Sequence, residues 1–179
     1  AIDRVKTAPD GTYSVHVIGG GRPAGICGSG LVEALAAFIE TEAIDETGFM
    51  EDDPVTLAGP VMITQKDIRA AQLAKSAIHA GIRTLLHTAG VPCENVETLY
   101  IAGGFGSYLD VNSAGKIGLI PEELVPRVKV IGNAALTGAA LLLSTPEKAK
   151  YEKLAMDVKL VELSSNPVFT AEYMERMMF

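Results

Sequence analysis

The stretch Leu99-Tyr-Ile-Ala-Gly-Gly-Phe-Gly-Ser-Tyr-Leu-Asp110 decides the fold class. Its first four residues read as a buried strand that runs straight into Gly103, Gly104 and Gly106. Glycine lacks Cβ and tolerates positive φ, so a flat ligand can approach the backbone closely there. Further along, Val130-Ile-Gly-Asn-Ala-Ala-Leu-Thr-Gly-Ala-Ala140 repeats the pattern as strand, glycine turn and small-residue helix. One such turn is better explained as a tight connection with no ligand. Two in succession, behind a long helix, point to a layered α/β architecture that binds a nucleotide.

Composition narrows the setting. The 179 residues are enough for one good core or two closely joined lobes, and 48% are hydrophobic, so the chain is globular. The formal net charge of −7, with no Lys/Arg cluster, argues against a nucleic-acid or anionic-membrane surface. The run Ala134 to Leu143 is too short to span a bilayer and reads as a buried helix. Ala1 is not an initiator Met and opens no signal peptide, which reads as the interior of a longer protein. Cys27 and Cys93 are far apart and form no C-x-x-C, so they read as buried free thiols in a reducing, cytoplasmic compartment. His16, His79 and His87 lack metal-ligand spacing, and no metal site is expected.

Upstream, Ile2 to Lys6 and Tyr13 to Ile18 flank the turn signal Pro9-Asp10-Gly11-Thr12. The glycines of Gly19-Gly20-Gly21-Arg22-Pro23-Ala24-Gly25 follow a strand, but Pro23 and Gly25 sit where a dinucleotide-binding helix should open. A helix instead begins at Ser29 or Gly30 and runs to about Glu42, with Leu31, Leu35, Phe38 and Ile39 at helical spacing. The loop Gly25-x-x-Gly28-x-Gly30 has two readings. Gly28, Ser29 and Gly30 hold an anion on free N–H groups, or they form a tight turn that packs the helix on the sheet. Asp45 to Pro54 is an acidic surface loop, and Val61 to Ile63 a short strand.

Thr64 caps a helix from Gln65 to Ala89, with Asp67 as capping-box partner. Its expected buried face is Ile68, Ala71, Ile78, Ile82, Leu85 and Leu86, flanked by Leu73. Gln72, Lys75, Ser76 and His79 form a polar stripe beside it. The pattern then predicts short helices at Val111 to Gly118 and Pro121 to Val125 and a strand at Val128 to Ile131. Helices follow from Asn133 and from Thr145-Pro146, then a strand at Val158 to Leu163 and a last helix from Asn166-Pro167.

This order resembles the C-terminal half of the actin-like ATPase superfamily, a ribonuclease-H-like fold. Here a small hairpin-plus-helix subdomain (1–64) would pack on a core half (65–179). The resemblance implies that Gly103 and Gly104 hold adenosine with Phe105 beside it, that Gln72, Lys75 and Ser76 contact ribose and adenine, and that Gly132 and Asn133 close the pocket. Gly103, Gly104, Lys75 and Asn133 would then share one cleft.

The words Gly25-Ile-Cys-Gly-Ser-Gly-Leu31, Thr64-Gln-Lys-Asp-Ile-Arg69, Gln72-Leu-Ala-Lys75, Ile101-Ala-Gly-Gly-Phe-Gly106 and Gly132-Asn-Ala-Ala-Leu-Thr-Gly138 are similar to one branch. That branch is the ATP-dependent reductive activators of corrinoid proteins, which serve methyl transfer. The resemblance implies a parent that uses ATP/ADP with Mg²⁺, a corrinoid protein as partner, and an iron–sulfur cluster in a separate N-terminal domain. The partners implied are that N-terminal remainder of the chain and the corrinoid protein, with a homodimer open. The chain departs from the branch in lacking a Cys cluster and the two phosphate loops, because Asp10-Gly11-Thr12 lies inside a hairpin turn. No catalytic residue is expected here, and hydrolysis by this chain alone is not. Two other readings stay open: a docking or dimerisation module that keeps the fold without nucleotide, and a small-metabolite kinase of the same superfamily.

Overall fold

The computed structural model describes residues 1–179. Strands β1 (Ile2–Thr7) and β2 (Tyr13–Val17) pair antiparallel. Asp10 closes their turn, accepting from the Thr12 hydroxyl at 2.6 Å and the Thr12 amide at 3.0 Å. The letters Asp-Gly-Thr are therefore turn chemistry, as their setting indicates.

Helix α1 (Gly28–Glu40) lies on β1. It buries Val32, Leu35 and Phe38, while Leu31 and Ile39 pack at its edge. Its one buried carboxylate, Glu33, is satisfied by the Val5 amide at 2.9 Å and by Arg4. The chain then forms β3 (Val55–Ala58) and β4 (Val61–Ile63), an antiparallel pair. The sequence reading names only β4 and leaves Val55 unassigned after its acidic loop.

Helix α2 (Gln65–Ala89) has the expected bounds. Thr64 and Asp67 close a full capping box, and Gly90 ends the helix at φ 65°. Its burial corrects the sequence reading. Ile68 is buried and Ala71, Ile82 and Leu86 are half-buried, but Leu73, Ile78 and Leu85 are exposed. The polar stripe Gln72, Lys75, Ser76 and His79 is buried instead.

Next come β5 (Leu99–Ala102), α3 (Gly104–Ser107), α4 (Val111–Lys116), a 3-10 turn over Glu122–Arg127 and β6 (Val128–Gly132). β5 and β6 run parallel, with Leu99 opposite Val128 and Ile101 opposite Val130. The chain ends with α5 (Ala134–Ser144), α6 (Lys148–Met156) and α7 (Pro167–Glu175). Asn166 caps α7, accepting from the Val168 and Phe169 amides.

Three further expectations are corrected in this part. Val158 to Leu163 forms no strand. Thr145 ends α5 rather than opening α6, whose cap is Glu147. Helix α5 has no buried residue, and Leu143 at its end is 92% exposed. The first and the third share a physical reason: the buried core cluster runs from Ile2 to Leu124, and no residue after Leu124 is buried. An apolar run becomes a core element only where other elements cover it.

Candidate functional site

Both glycine turns sit at the C-terminal ends of parallel strands, where open α/β sheets bind their ligands. Gly103 leaves β5 at φ 97°, a conformation that side chains rarely adopt. A Cβ built at Gly103 or Gly104 would meet no atom within 4 Å. Neither glycine is required by packing, so space lies open above this loop. Gly106 differs, because its Cβ would come within 2.3 Å of Ile101 Cγ2.

The two turns are joined. The Gly103 amide donates to the Gly132 carbonyl at 2.7 Å, and a Cβ on Gly132 would lie 3.9 Å from Ser107 Oγ. Asn133 follows as the cap of α5, its Oδ1 accepting from the Leu136 amide at 3.0 Å. Gly103, Gly104, Gly132 and Asn133 therefore form one continuous ledge.

Gly104 and Phe105 also face the start of α1. With Gly28, Ser29, Cys27 and Tyr108 they line a mainly apolar cavity of about 510 Å³. Asp3 and His16, 2.6 Å apart, close its far side. The tight-turn reading explains the glycines here. A Cβ on Gly28 would strike the Phe105 ring at 2.7 Å, and one on Gly30 would strike the Ile2 carbonyl oxygen at 2.5 Å. Cys27 is half-buried and free. Burial pushes its thiol up, but the Ser29 hydroxyl and the Gly30 and Ser29 amides outweigh that and hold it below its usual pKa.

The α2 stripe lies elsewhere. Its donors are engaged by the end of α7 and the residues after it. Gln72 Nε2 donates to Met177 O at 2.8 Å and to Thr47 O at 2.9 Å. Lys75 Nζ donates to Arg176 O at 2.7 Å and also to Met178 O, and it lies 4.9 Å from the centre of the Phe179 ring. The Ser76 hydroxyl is 2.7 Å from Arg176 O and equally close to Gln72 O. His79 Nδ1 reaches Gly118 O at 3.0 Å. Burial, and then the Arg176 charge, push Lys75 down to about 8. Burial likewise lowers His79, against the Gly118 carbonyl.

The single cleft expected for Gly103, Gly104, Lys75 and Asn133 is thus corrected. Lys75 lines a different cavity of about 510 Å³, with His79, Arg83, Gly118, Arg176 and Phe179. The cause is the set of helix-end carbonyls that seat on the stripe. Periodicity carries no signal for that contact, because its partners lie at least 100 residues away. Asp3, His16 and Tyr108 are cavity residues that the sequence did not single out.

The residues present do not fit an iron–sulfur cluster. Cys27 and Cys93 are the only cysteines, and no three His, Cys, Asp or Glu side chains group so as to hold a metal ion. No helix is long and apolar enough to cross a membrane.

Comparison with known proteins gives a consistent set of matches. Residues 1–179 match the family described as the C-terminal domain of RACo, the ASKHA domain. RamQ, a corrinoid activation enzyme of Eubacterium limosum, is 37% identical over 209 residues, covering 100% of this chain and 35% of that protein. The [Co(II) methylated amine-specific corrinoid protein] reductase of Methanosarcina barkeri is 26% identical over 171 residues, covering 96% of this chain and 30% of its own. A solved reductive activator for corrinoid, iron-sulfur protein matches with a TM-score of 0.88 at 32% identity, over 99% of this chain and 32% of that one. The chain therefore spans 30–35% of the length of these relatives.

Proposed function

Because the chain belongs to the family of C-terminal ASKHA domains of RACo, we propose that it is the adenosine-side portion of an ATP-dependent corrinoid activator. Such an activator adds one electron, drawn from a reductant, to a Co(II) corrinoid protein and returns it to Co(I). The partner is a corrinoid protein, and the electron centre belongs to polypeptide beyond this domain. Reading residues 1–64 and 65–179 as two subdomains is part of the same proposal.

One observation carries the nucleotide reading: the open space above Gly103 and Gly104 at the end of a parallel strand. A nucleoside fits there because nothing in the packing calls for glycine. Gly103, Gly104 and Phe105 would hold adenosine from one side, with Gly132 and Asn133 on the other. Bound ATP with Mg²⁺ would supply a binding energy that differs between two conformations of the protein. Only such a difference can shift their populations. This chain's part is to bind and orient the nucleoside. Gly28, Ser29 and Gly30 take no part in this proposal, since packing accounts for both glycines.

The test is calorimetric titration of ATP and ADP, with Gly104→Val as the variant. A branched side chain there fills ligand space without touching the core. The expected result is at least a tenfold weaker affinity, about 1.4 kcal/mol, with the far-ultraviolet circular dichroism unchanged. Equal affinity in a folded variant would make the loop purely structural and favour a docking module. In the longer protein, the cobalt spectrum of a Co(II) corrinoid partner should change only when ATP accompanies the reductant.

A further inference from the structure

We propose that helix α5 and the β5–β6 pair are the seat of the polypeptide that precedes this domain in the longer protein, which covers them within the same chain. This does not depend on what the glycine ledge binds.

Helix α5 is apolar on every side. From Ala134 to Ser144 it carries no charged residue. Leu141, Leu142 and Leu143 are consecutive, so they point in directions about 100° apart around the helix axis. All three are exposed, and so is Leu136 in the first turn. A helix that is hydrophobic all round belongs in an interior.

The sheet that leads into it has the same need. β5 and β6 form a two-stranded parallel pair with no further strand on either edge. Parallel sheets are built with both faces covered. Here Lys129 and Val130, neighbours that point to opposite faces, are both exposed, as is Tyr100 opposite Lys129.

Length, chemistry and geometry identify the occupant. This chain spans 30–35% of the matched relatives, and the matched family is a C-terminal domain, so most of the polypeptide lies N-terminal to it. A corrinoid protein that is reduced and released needs a surface that can stand in water between encounters. Such surfaces carry a polar rim, whereas permanent interfaces resemble a cut core. Helix α5 is of the second kind. A second copy would meet one face of it through a two-fold contact, leaving the leucines on the other sides in water. Polypeptide joined to the same chain can wrap the helix without the entropic cost of association. Asn133 of the ledge caps α5, so this cover stands beside the ledge.

The experiment uses the longer protein, in which Leu143→p-benzoylphenylalanine places a photo-reactive group on the helix. Irradiation and mass spectrometry should show cross-links to residues N-terminal to this domain, at the mass of one chain and unchanged on dilution. Should that variant not fold, hydrogen exchange of the unmodified protein is the second readout. The amides of α5 should exchange about a hundredfold or more slower than in an unfolded chain, with no partner added. A product of dimer mass that fades on dilution would overturn the proposal in favour of a second copy. Cross-links or protection that appear only with the corrinoid protein would overturn it in favour of that partner. Cross-links confined to residues 1–179, or α5 exchange near the unfolded rate, would overturn it outright. None of these outcomes bears on ATP or ADP affinity, which the Gly104→Val titration reads separately.

Discussion

At the scale of single residues, alike letters carry unlike reasons. Gly30 and Gly104 both lie in the first turn of a helix that follows an extended segment. Gly30 is fixed by a carbonyl oxygen 2.5 Å from its missing Cβ, whereas Gly104 faces empty space. No sequence pattern separates these cases, since the distinction lies in what packs across from each. Lys75 shows the same limit. Its place in the stripe was legible, but its burial was not. Burial holds Lys75 near 8 in the fold against an ordinary value of 10.5. Between those values the unfolded chain carries a proton that the folded one has shed, so stability rises with pH across that window. Below it both states are charged and the contribution is constant. Arg83, Arg176, His79, Lys116, Glu122, Glu123 and Glu175 line the same cavity. In Lys75→Met, the rise in urea stability from pH 8 to 10 should be smaller by up to about 1.4 kcal/mol per pH unit. An identical slope in both chains would show that Lys75 is not buried as a cation.

At the scale of elements, ends were easier to read than faces. Thr64, Asp67 and Gly90 mark the limits of α2 because capping is local chemistry, complete within four residues. Thr64→Ala removes the cap and should cost about 1 kcal/mol, seen as a fall of roughly 2–4 °C in the calorimetric midpoint. No change would mean that tertiary contacts alone hold the first turn. The buried face was harder, because α2 carries two stripes at helical spacing. The apolar one exposes Leu73, Ile78 and Leu85, while the polar one goes inside to meet α7. Strand β3 was missed for a related reason. It follows directly on the acidic, turn-rich Asp45 to Pro54, which masks its start.

At the scale of the whole molecule, the fold class was legible from its two strand–glycine–helix units. The location of the core was not. Burial stops at Leu124, so α5 stands with Leu136 and Leu143 in solvent. Leu136→Glu and Leu143→Glu should each change the unfolding free energy of this chain by no more than about 0.5 kcal/mol, while reducing light scattering at high concentration. A large loss of stability would show that α5 packs more tightly than its exposure indicates. The bond between Gly103 and Gly132 has a consequence of another kind. It makes the lengths of two distant loops a single variable. A residue inserted after Ala102 slides one carbonyl past its donor, and only a matching insertion beyond Ile131 restores the alignment. The two turns, set apart along the chain, can lengthen or shorten only together.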